Sequence, residues 1–232
     1  MRHVESFVAA VTHEMKTPLA GIKSLLQTMA AGRVPREQVQ QLLALGLKES
    51  ERLEHTIENV LLAGKLRGGR LQVLAESVGL KGFLESFVEH RRRYLPDRPE
   101  AIELRWPDGV GELSVRADPQ ALRTILENLV DNAFKYGGQP PEVAIEVTPE
   151  ARSVAVSVVD NGIGFEPDQA QMLFVPYRRA LGAGSRSSLK HGTGLGLSIS
   201  LELARRMGGR LTAESDGPGH GSRFTLVVER DS

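Results

Sequence analysis

The stretch ADPQALRTILENLVDNAFKY, residues 117–136, carries the strongest helix signal in the chain. Asp118 is a natural N-cap, and Pro119 follows it in the first turn, where a missing backbone N–H costs nothing. Apolar side chains then line one side of the segment: Leu122, Ile125, Leu126, Leu129 and Phe134. This pattern predicts an amphipathic helix that packs on a core.

The opposite side of this helix carries amide groups. Asn128 and Asn132 are four residues apart and share a face, with Asp131 and Lys135 close by. Amide oxygens are suitable ligands for Mg²⁺, which keeps several waters and shares phosphate oxygens. A solvated polar face is the commoner explanation of such residues. Two asparagines inside a helix carry a small propensity cost, which favours a functional role without deciding it.

Two glycine clusters follow this helix along the chain. DNGIGF, residues 160–165, comes directly after a predicted strand, and HGTGLGLS, residues 191–198, opens a predicted helix. Glycines let a backbone approach a ligand closely, and a helix N-terminus offers N–H groups to an anion, although ordinary turns also produce such clusters. Neither cluster is the phosphate loop GxxxxGK[ST], and neither completes a dinucleotide fingerprint.

The surrounding pattern predicts strands with helices interspersed on one side, which indicates an α/β two-layer sandwich. We expect the strands in six segments: 70–78, 101–106, 142–148, 153–160, 210–215 and 222–229, the last two forming a hairpin. Further helices are expected at 80–94 and 194–209, the latter ending in glycine. Residues 178–194 form a long segment rich in glycine and serine, which is typical of a functional lid.

The N-terminal part has a different periodicity. Apolar residues from Val8 to Met29 alternate at spacings of three and four, the a and d positions of a heptad. A break at 30–37 separates them from a second apolar series between Val39 and Leu61. We expect an antiparallel helical hairpin that buries its seam by pairing with a second copy in a four-helix bundle. Glycines and charges near residue 68 divide the chain into domains 1–67 and 68–232.

Composition restricts the function classes. The 232 residues have a formal net charge of zero, so charge gives no reason to expect nucleic acid as a partner. The absence of cysteine excludes disulfides and thiolate metal sites and fits a reducing compartment. No apolar run is long enough to span a bilayer. We expect a cytoplasmic protein that reaches a membrane, if at all, through upstream segments missing from this sequence.

Five motifs occur in a fixed order, and together they resemble the H, N, G1, F and G2 boxes of sensor histidine kinases: VTHEMKTPL, LENLVDNAFKY, DNGIGF, LFVPYRR and HGTGLGLSI. The resemblance covers nearly the whole chain. It implies a dimerisation and phosphotransfer domain followed by an ATP-binding domain of the type shared with gyrase and heat-shock chaperone ATPases (GHKL type). It also implies ATP and Mg²⁺ as ligands and the receiver domain of a response regulator as partner.

The resemblance assigns roles to residues of the nucleotide site. Asn132 matches the family's Mg²⁺ ligand, Asn128 its supporting asparagine, and Asp160 the aspartate that accepts a hydrogen bond from the adenine amino group. Lys135 and Tyr136 match a pair that contacts phosphate and ribose. The remaining matches are the glycine-box residues and a serine behind the adenine pocket: Gly162, Gly164, Gly192, Thr193, Gly194, Leu195, Gly196 and Ser222.

The F box departs from the family's usual Phe-x-x-Phe-Tyr-Arg. Phe174 is in place, Tyr177 stands at the second aromatic position, and Arg178 stands where tyrosine is common. Arg179 then falls on the family's arginine, which makes it the favoured phosphate contact, with Arg178 as the alternative. Two solvated lid arginines would also explain the pattern.

His13 is the expected phosphate acceptor. With Val8 at an a position, His13 falls at f, the most exposed position of the heptad. Glu14 follows directly and is placed to accept the ring N–H as a base or an orienting group. Pro18 has no N–H, so the carbonyl of Glu14 loses its helical partner and the turn is loosened. The predicted activity is autophosphorylation of His13 and transfer to a response-regulator aspartate.

Thr17 raises the expectation of a second activity. In the family, Glu-x-x-Thr after the histidine marks kinases that also dephosphorylate their regulator; a simple capping role for Thr17 stays open.

Two other classes compete with the kinase prediction. A conformational ATPase would carry a glutamate at position 128, where this chain has Asn128. A non-catalytic dimerisation module would not need intact nucleotide motifs.

Overall fold

The computed structural model describes residues 2–32, 34–67, 71–93, 98–176 and 194–231. Within these ranges the chain divides into two compact units, and the division falls near residue 71. No helix of the described ranges is both long enough and apolar enough to cross a membrane.

The first unit is a helical hairpin of α1, Arg2–Ala30, and α2, Arg36–Arg67. A Cβ added to Gly21 would lie 3.5 Å from Cγ of Glu49, and one added to Gly46 would lie 3.8 Å from Cδ1 of Leu25. The later residue of α1, Leu25, is near the earlier residue of α2, Gly46, so the two helices are antiparallel, as the heptads predicted. Gly32 makes the turn with a φ of 66°.

The hairpin leaves much of its apolar surface uncovered. Val11 and Pro18 are buried on α1, which continues as a helix through the proline. Several leucines nevertheless lie in solvent: Leu19, Leu26, Leu43, Leu45, Leu47 and Leu61, which are between 43% and 66% exposed. Soluble proteins seldom leave so many large apolar side chains exposed unless another surface packs on them.

The second unit is built on a five-stranded sheet in the order β2-β4-β5-β7-β6. Its strands are β2 Ile102–Arg105, β4 Val143–Pro149, β5 Ser153–Asp160, β6 Arg210–Glu214 and β7 Ser222–Glu229. The β2–β4 pair is parallel and the other pairs are antiparallel. A separate two-stranded sheet joins β1, Glu76–Gly79, to β3, Ser114–Ala117.

Three helices pack on the large sheet: α3 Leu80–Arg93, α4 Pro119–Tyr136 and α5 Gly196–Arg206. The core between the layers is mainly aliphatic, with Phe87 as a fully buried aromatic member, and its other fully buried residues include Leu84, Leu122, Leu126, Ile145 and Leu203. Two short 3₁₀-helices cover Pro99–Ala101 and Pro167–Phe174. This is the predicted α/β two-layer sandwich.

The start of α4 forms as its sequence predicted. Oδ1 of Asp118 accepts hydrogen bonds from the backbone N–H groups of Gln120 at 2.9 Å and Ala121 at 3.0 Å. Its other oxygen, Oδ2, accepts from the backbone N–H of Leu74 at 2.9 Å. One carboxylate therefore caps the helix and holds the segment that leads into β1.

The strand expected at 70–78 was predicted too long. The ladder begins only at Glu76, because its partner β3 offers four residues. Leu74, which alternation placed in the strand, is 72% exposed, and its backbone N–H donates to Asp118 in place of a strand partner. The predicted lid, 178–194, lies outside the described residues except for Gly194.

The Asp118 cap gives a direct test of the fold. We expect Asp118→Ala to lower the free energy of unfolding by about 1 kcal/mol, the usual effect of removing an N-cap. Asp118→Asn should lose less, because the amide oxygen can still accept from the first turn and only the bond from the Leu74 N–H is lost. Urea unfolding followed by circular dichroism measures both, and equal losses in the two variants would contradict the capping role.

Candidate functional site

Asp160, the last residue of β5, is the centre of the site. Its side chain is only 8% exposed, yet both of its carboxylate oxygens are hydrogen-bonded. Oδ1 accepts from the backbone N–H of Gly162 at 2.8 Å, and Oδ2 accepts from the hydroxyl of Ser222. Ser222 lies opposite Asp160 in the β5–β7 register, so the sheet itself brings the pair together.

Burial changes the pKa of this carboxyl. Loss of water raises the pKa of Asp160 above its ordinary value, although the Ser222 hydroxyl and the Gly162 N–H both act against that rise. These hydrogen bonds fix the direction of the carboxylate, whose oxygens can each accept more than one hydrogen bond. The group is therefore suited to accept one more N–H from a ligand that enters the site.

Two glycine-rich loops meet at the end of β5: the first follows β5 itself, and the second connects β6 to β7. The N–H groups of Gly219 and Gly221 donate to the carbonyls of Ile163 at 2.7 Å and Gly162 at 3.0 Å. Position 162 must be glycine, because a Cβ there would lie 2.2 Å from the carbonyl oxygen of Tyr136. The predicted glycines of the G1 box thus serve close backbone packing.

Gly164 meets the second loop from the other side. Its φ is 60°, and a Cβ at this position would lie 2.3 Å from the carbonyl oxygen of Gly217. The hydroxyl of Ser215 joins the same loops, since it donates to the Gly221 carbonyl at 2.7 Å and accepts from the Phe165 N–H at 3.1 Å. Sequence reasoning missed Ser215, whose partners lie in two separate loops.

Asn128 links α4 to the beginning of α5. It is buried, and its Nδ2 donates to the carbonyl of Gly196 at 3.3 Å and to Oγ of Ser200 at 3.2 Å. A Cβ on Gly196 would lie 2.8 Å from Oδ1 of Asn128, so the helices approach through a glycine. The sequence placed Asn128 opposite the apolar side of α4, whereas the structure buries it against α5.

Asn132, Lys135 and Tyr136 follow Asn128 along α4 and are all partly exposed. Nζ of Lys135 lies 5.0 Å from the centre of the Tyr136 ring. Among the described residues, no cluster of three acidic or histidine side chains forms a metal cage. A lone amide such as Asn132 still fits Mg²⁺, because this ion keeps waters and takes phosphate oxygens for its other positions.

The structure describes the other predicted residues to different extents. Arg178, Arg179, Gly192 and Thr193 lie outside the described residues. His13 and Glu14 lie within α1, but their side chains are likewise outside. Gly194, with a φ of 65°, and the buried Leu195 lead into α5. Thr17 is partly exposed and precedes the buried Pro18.

Comparison with protein families decides the identity. A family model described as the His Kinase A (phospho-acceptor) domain matches residues 3–69. A second, described as the Histidine kinase-, DNA gyrase B-, and HSP90-like ATPase, matches residues 117–232, which is half of the chain. The chain belongs to the sensor histidine kinases. The resemblance inferred from the five motifs is thereby confirmed, as is the expected order of a phosphoacceptor and an ATPase domain.

Curated relatives of this histidine kinase are similar along nearly all of its length. Signal transduction histidine-protein kinase AfsQ2 of Streptomyces coelicolor is 31% identical over 236 residues, which cover 97% of this chain and 42% of AfsQ2. Sensor histidine kinase WalK of Bacillus subtilis is 30% identical over 229 residues, which cover 97% of this chain and 37% of WalK. The chain thus spans less than half the length of these two relatives.

Solved structures support the fold of the histidine kinase. Full-length ShkA in complex with AMPPNP has a TM-score of 0.65 and 24% identity, over 98% of this chain and 46% of ShkA. ThkA in complex with the response regulator protein TrrA has a TM-score of 0.63 and 18% identity, over 97% of this chain and 61% of the other.

Asp160 yields a prediction about stability. Because its pKa is raised on folding, the ionised group opposes folding at neutral pH, and this penalty disappears below its ordinary pKa of 3.8. Asp160→Asn removes the titrating group. The free energy of unfolding of the wild type, relative to the variant, should therefore increase as the pH falls from 7 towards 4.

Urea titrations at several pH values measure this difference. Asp168→Asn removes an exposed carboxylate and serves as the control. A wild type that loses stability relative to Asp160→Asn on acidification would contradict the predicted sign.

Proposed function

We propose that this chain is the kinase core of a two-component sensor, which phosphorylates His13 with Mg-ATP and passes the phosphoryl group to a response-regulator aspartate. Residues 1–67 would act as the dimerisation and phosphotransfer domain and residues 68–232 as the ATP-binding domain. The observation that carries the proposal is Asp160. It is a buried carboxylate with two fixed donors at the glycine-rich end of a strand, in a chain whose matching families are a phosphoacceptor domain and an ATPase.

Asp160 reads the base in this proposal. An adenine amino group donates to the carboxylate, and Ser222 and Gly162 hold the acceptor in position. Gly164 supports the neighbouring turn through its contact with Gly217. A nucleotide that presents a carbonyl oxygen in place of the amino group would face a buried acceptor and bind poorly. ShkA, a fold neighbour, was crystallised with AMPPNP, which is consistent with an adenine nucleotide here.

The end of α4 serves the phosphates and the ribose. Asn132 provides an amide oxygen for Mg²⁺, which neutralises phosphate charge when bound. Lys135 and Tyr136 contact phosphate and ribose, and Asn128 supports them from inside the helix pair. Residues 192–196 line the triphosphate, and Arg179, with Arg178 as the alternative, supplies a further positive charge.

His13 supplies the nucleophile. A neutral ring nitrogen forms a bond to the γ-phosphorus while the bond from that phosphorus to the bridging oxygen breaks, and ADP leaves with the electron pair. Glu14 accepts or orients the remaining ring N–H. In the second step the phosphoryl group moves from His13 to a receiver-domain aspartate. ThkA in complex with the response regulator TrrA supports this class of partner.

The buried Asn128 is evidence against the alternative function, a conformational ATPase that hydrolyses ATP. Hydrolytic relatives carry a glutamate at the matching position to activate water. Here both amide hydrogens of Asn128 are donated, to Gly196 and Ser200, so the side chain is a structural link and has no basic group. This favours transfer to a protein side chain over hydrolysis.

The exposed leucines of the hairpin favour a homodimer. Leu19 and Leu26 on α1 and Leu47 and Leu61 on α2 are each more than half exposed. A second hairpin would cover them and complete a four-helix bundle. We place the kinase core in the cytoplasm, because its substrate ATP and its receiver-domain partner are there, and we expect no nucleic acid among its partners.

The kinase proposal predicts that His13→Ala abolishes autophosphorylation. Incubation with γ-labelled ATP and Mg²⁺ should label the wild type with an acid-labile, base-stable group, as expected of phosphohistidine. The variant should take no label and keep its ADP affinity within about twofold, because the histidine lies on the other unit of the chain. His90→Ala, an exposed histidine of α3, is the matched control. Label that persists on His13→Ala would disprove the assignment.

We further propose that the kinase dephosphorylates its regulator through Thr17. This residue lies one helical turn after His13, partly exposed, and its hydroxyl can both donate and accept a hydrogen bond. It would position the water that attacks the aspartyl phosphate.

Thr17→Ala should therefore spare autophosphorylation and slow regulator dephosphorylation by about tenfold or more, the contribution of one positioned acid–base group. The assay follows decay of the phosphorylated regulator with kinase and ADP. Thr17→Ser, which keeps the hydroxyl, should retain most of the rate. Equal decay with wild type and Thr17→Ala would remove the phosphatase proposal and leave the kinase proposal intact.

A further inference from the structure

The loop GGQPPE, residues 137–142, joins the end of α4 to β4 and begins directly after Tyr136. Two of its six residues, Pro140 and Pro141, have no backbone N–H. The loop therefore has few donors with which to form hydrogen bonds of its own. A segment of this kind needs partners from elsewhere in the fold to hold one conformation.

Asn161 provides those partners with a single side chain. Its Oδ1 accepts from the backbone N–H of Gly138 at 3.0 Å and from that of Glu142 at 3.0 Å. Its Nδ2 donates to the carbonyl of Pro140, also at 3.0 Å. The amide thus bonds to the beginning, the middle and the end of the loop, although Asn161 itself is exposed.

The fit between Asn161 and the loop is close. A Cβ on Gly138 would lie 2.8 Å from the backbone carbonyl oxygen of Asn161 and 3.0 Å from its Oδ1. Next to this contact, the N–H of Ile163 donates to the carbonyl of Tyr136 at 3.0 Å. The end of α4 and the strand end at Asp160 are therefore joined at two adjacent places.

From this geometry we infer that Asn161 is a positioning residue for nucleotide binding. It fixes the distance between Asp160, which is its neighbour in the chain, and the Lys135–Tyr136 end of α4. The inference rests on the proposed function, in which Asp160 reads the base while Lys135 and Tyr136 contact phosphate and ribose. Asn161 touches no nucleotide in this scheme; it holds together the two elements that do.

A positioning role has a kinetic signature that a general folding role lacks. The Asn161 bonds hold the site before and during the reaction alike, so they contribute to uniform binding. Their loss should raise KM for Mg-ATP and leave kcat nearly unchanged. A general folding defect would instead lower the amount of active protein, and with it the apparent kcat, together with the melting temperature.

The test compares Asn161→Ala with Asn161→Asp in autophosphorylation kinetics and in ADP binding by calorimetry. Asn161→Ala loses all three of these bonds and should raise KM and the ADP Kd about tenfold, with kcat within about twofold. Asn161→Asp keeps the two accepted bonds, but it sets an acceptor against the Pro140 carbonyl and a second carboxylate beside Asp160, so its KM should rise, though by less than that of Asn161→Ala. Thr148→Ala, at an exposed position of β4, is the control.

Two results would overturn the inference: an Asn161→Ala protein with the KM and Kd of the wild type, or one whose kcat and melting temperature fall together with its affinity. Both are distinct from failure of the proposed function. A wild type that binds ADP but takes no label would remove the kinase proposal, and the calorimetric comparison would still decide the role of Asn161.

Discussion

A carboxylate that leaves water must have hydrogen-bond donors, and those of Asp160 lie in the turn that follows it and on the neighbouring strand. One donor is the backbone of its own turn at Gly162, and the other is the hydroxyl of Ser222 on the neighbouring strand. This requirement explains the loops around the site. The turn after β5 must fold back sharply, and the segment before β7 must lie against it through glycines.

The helices add a second constraint. Asn128 gives both of its amide hydrogens to α5, which fastens the beginning of that helix to the middle of α4. The residues proposed to contact the nucleotide therefore lie on elements whose mutual positions are set by buried polar contacts. Apolar packing alone would allow such elements to slide past one another, whereas directional hydrogen bonds do not. A site that must match several groups of one ligand benefits from this rigidity.

Much of this arrangement follows from local sequence. The Asp118–Pro119 signal predicted the start of α4, and the heptad spacing predicted the antiparallel hairpin, because both depend on neighbours within one or two turns. The burial of Asn128 and the contacts of Asn161 and Ser215 were beyond local reasoning. Their partners are up to 72 residues away in the chain, and no periodicity encodes them. The strand before α3 was overestimated for the same reason, since its length is set by β3.

The uncovered leucines of the hairpin have a thermodynamic consequence. In a single copy, the buried residues among those described on α1 and α2 are Val11, Pro18, Asn59 and Ala63. In the homodimer proposed above, much of the apolar surface that would favour this hairpin over the unfolded chain becomes buried only when a second copy binds. Folding and association then share one equilibrium, and the midpoint of thermal unfolding rises with protein concentration by mass action. Dilution alone would therefore destabilise the helical hairpin that carries His13.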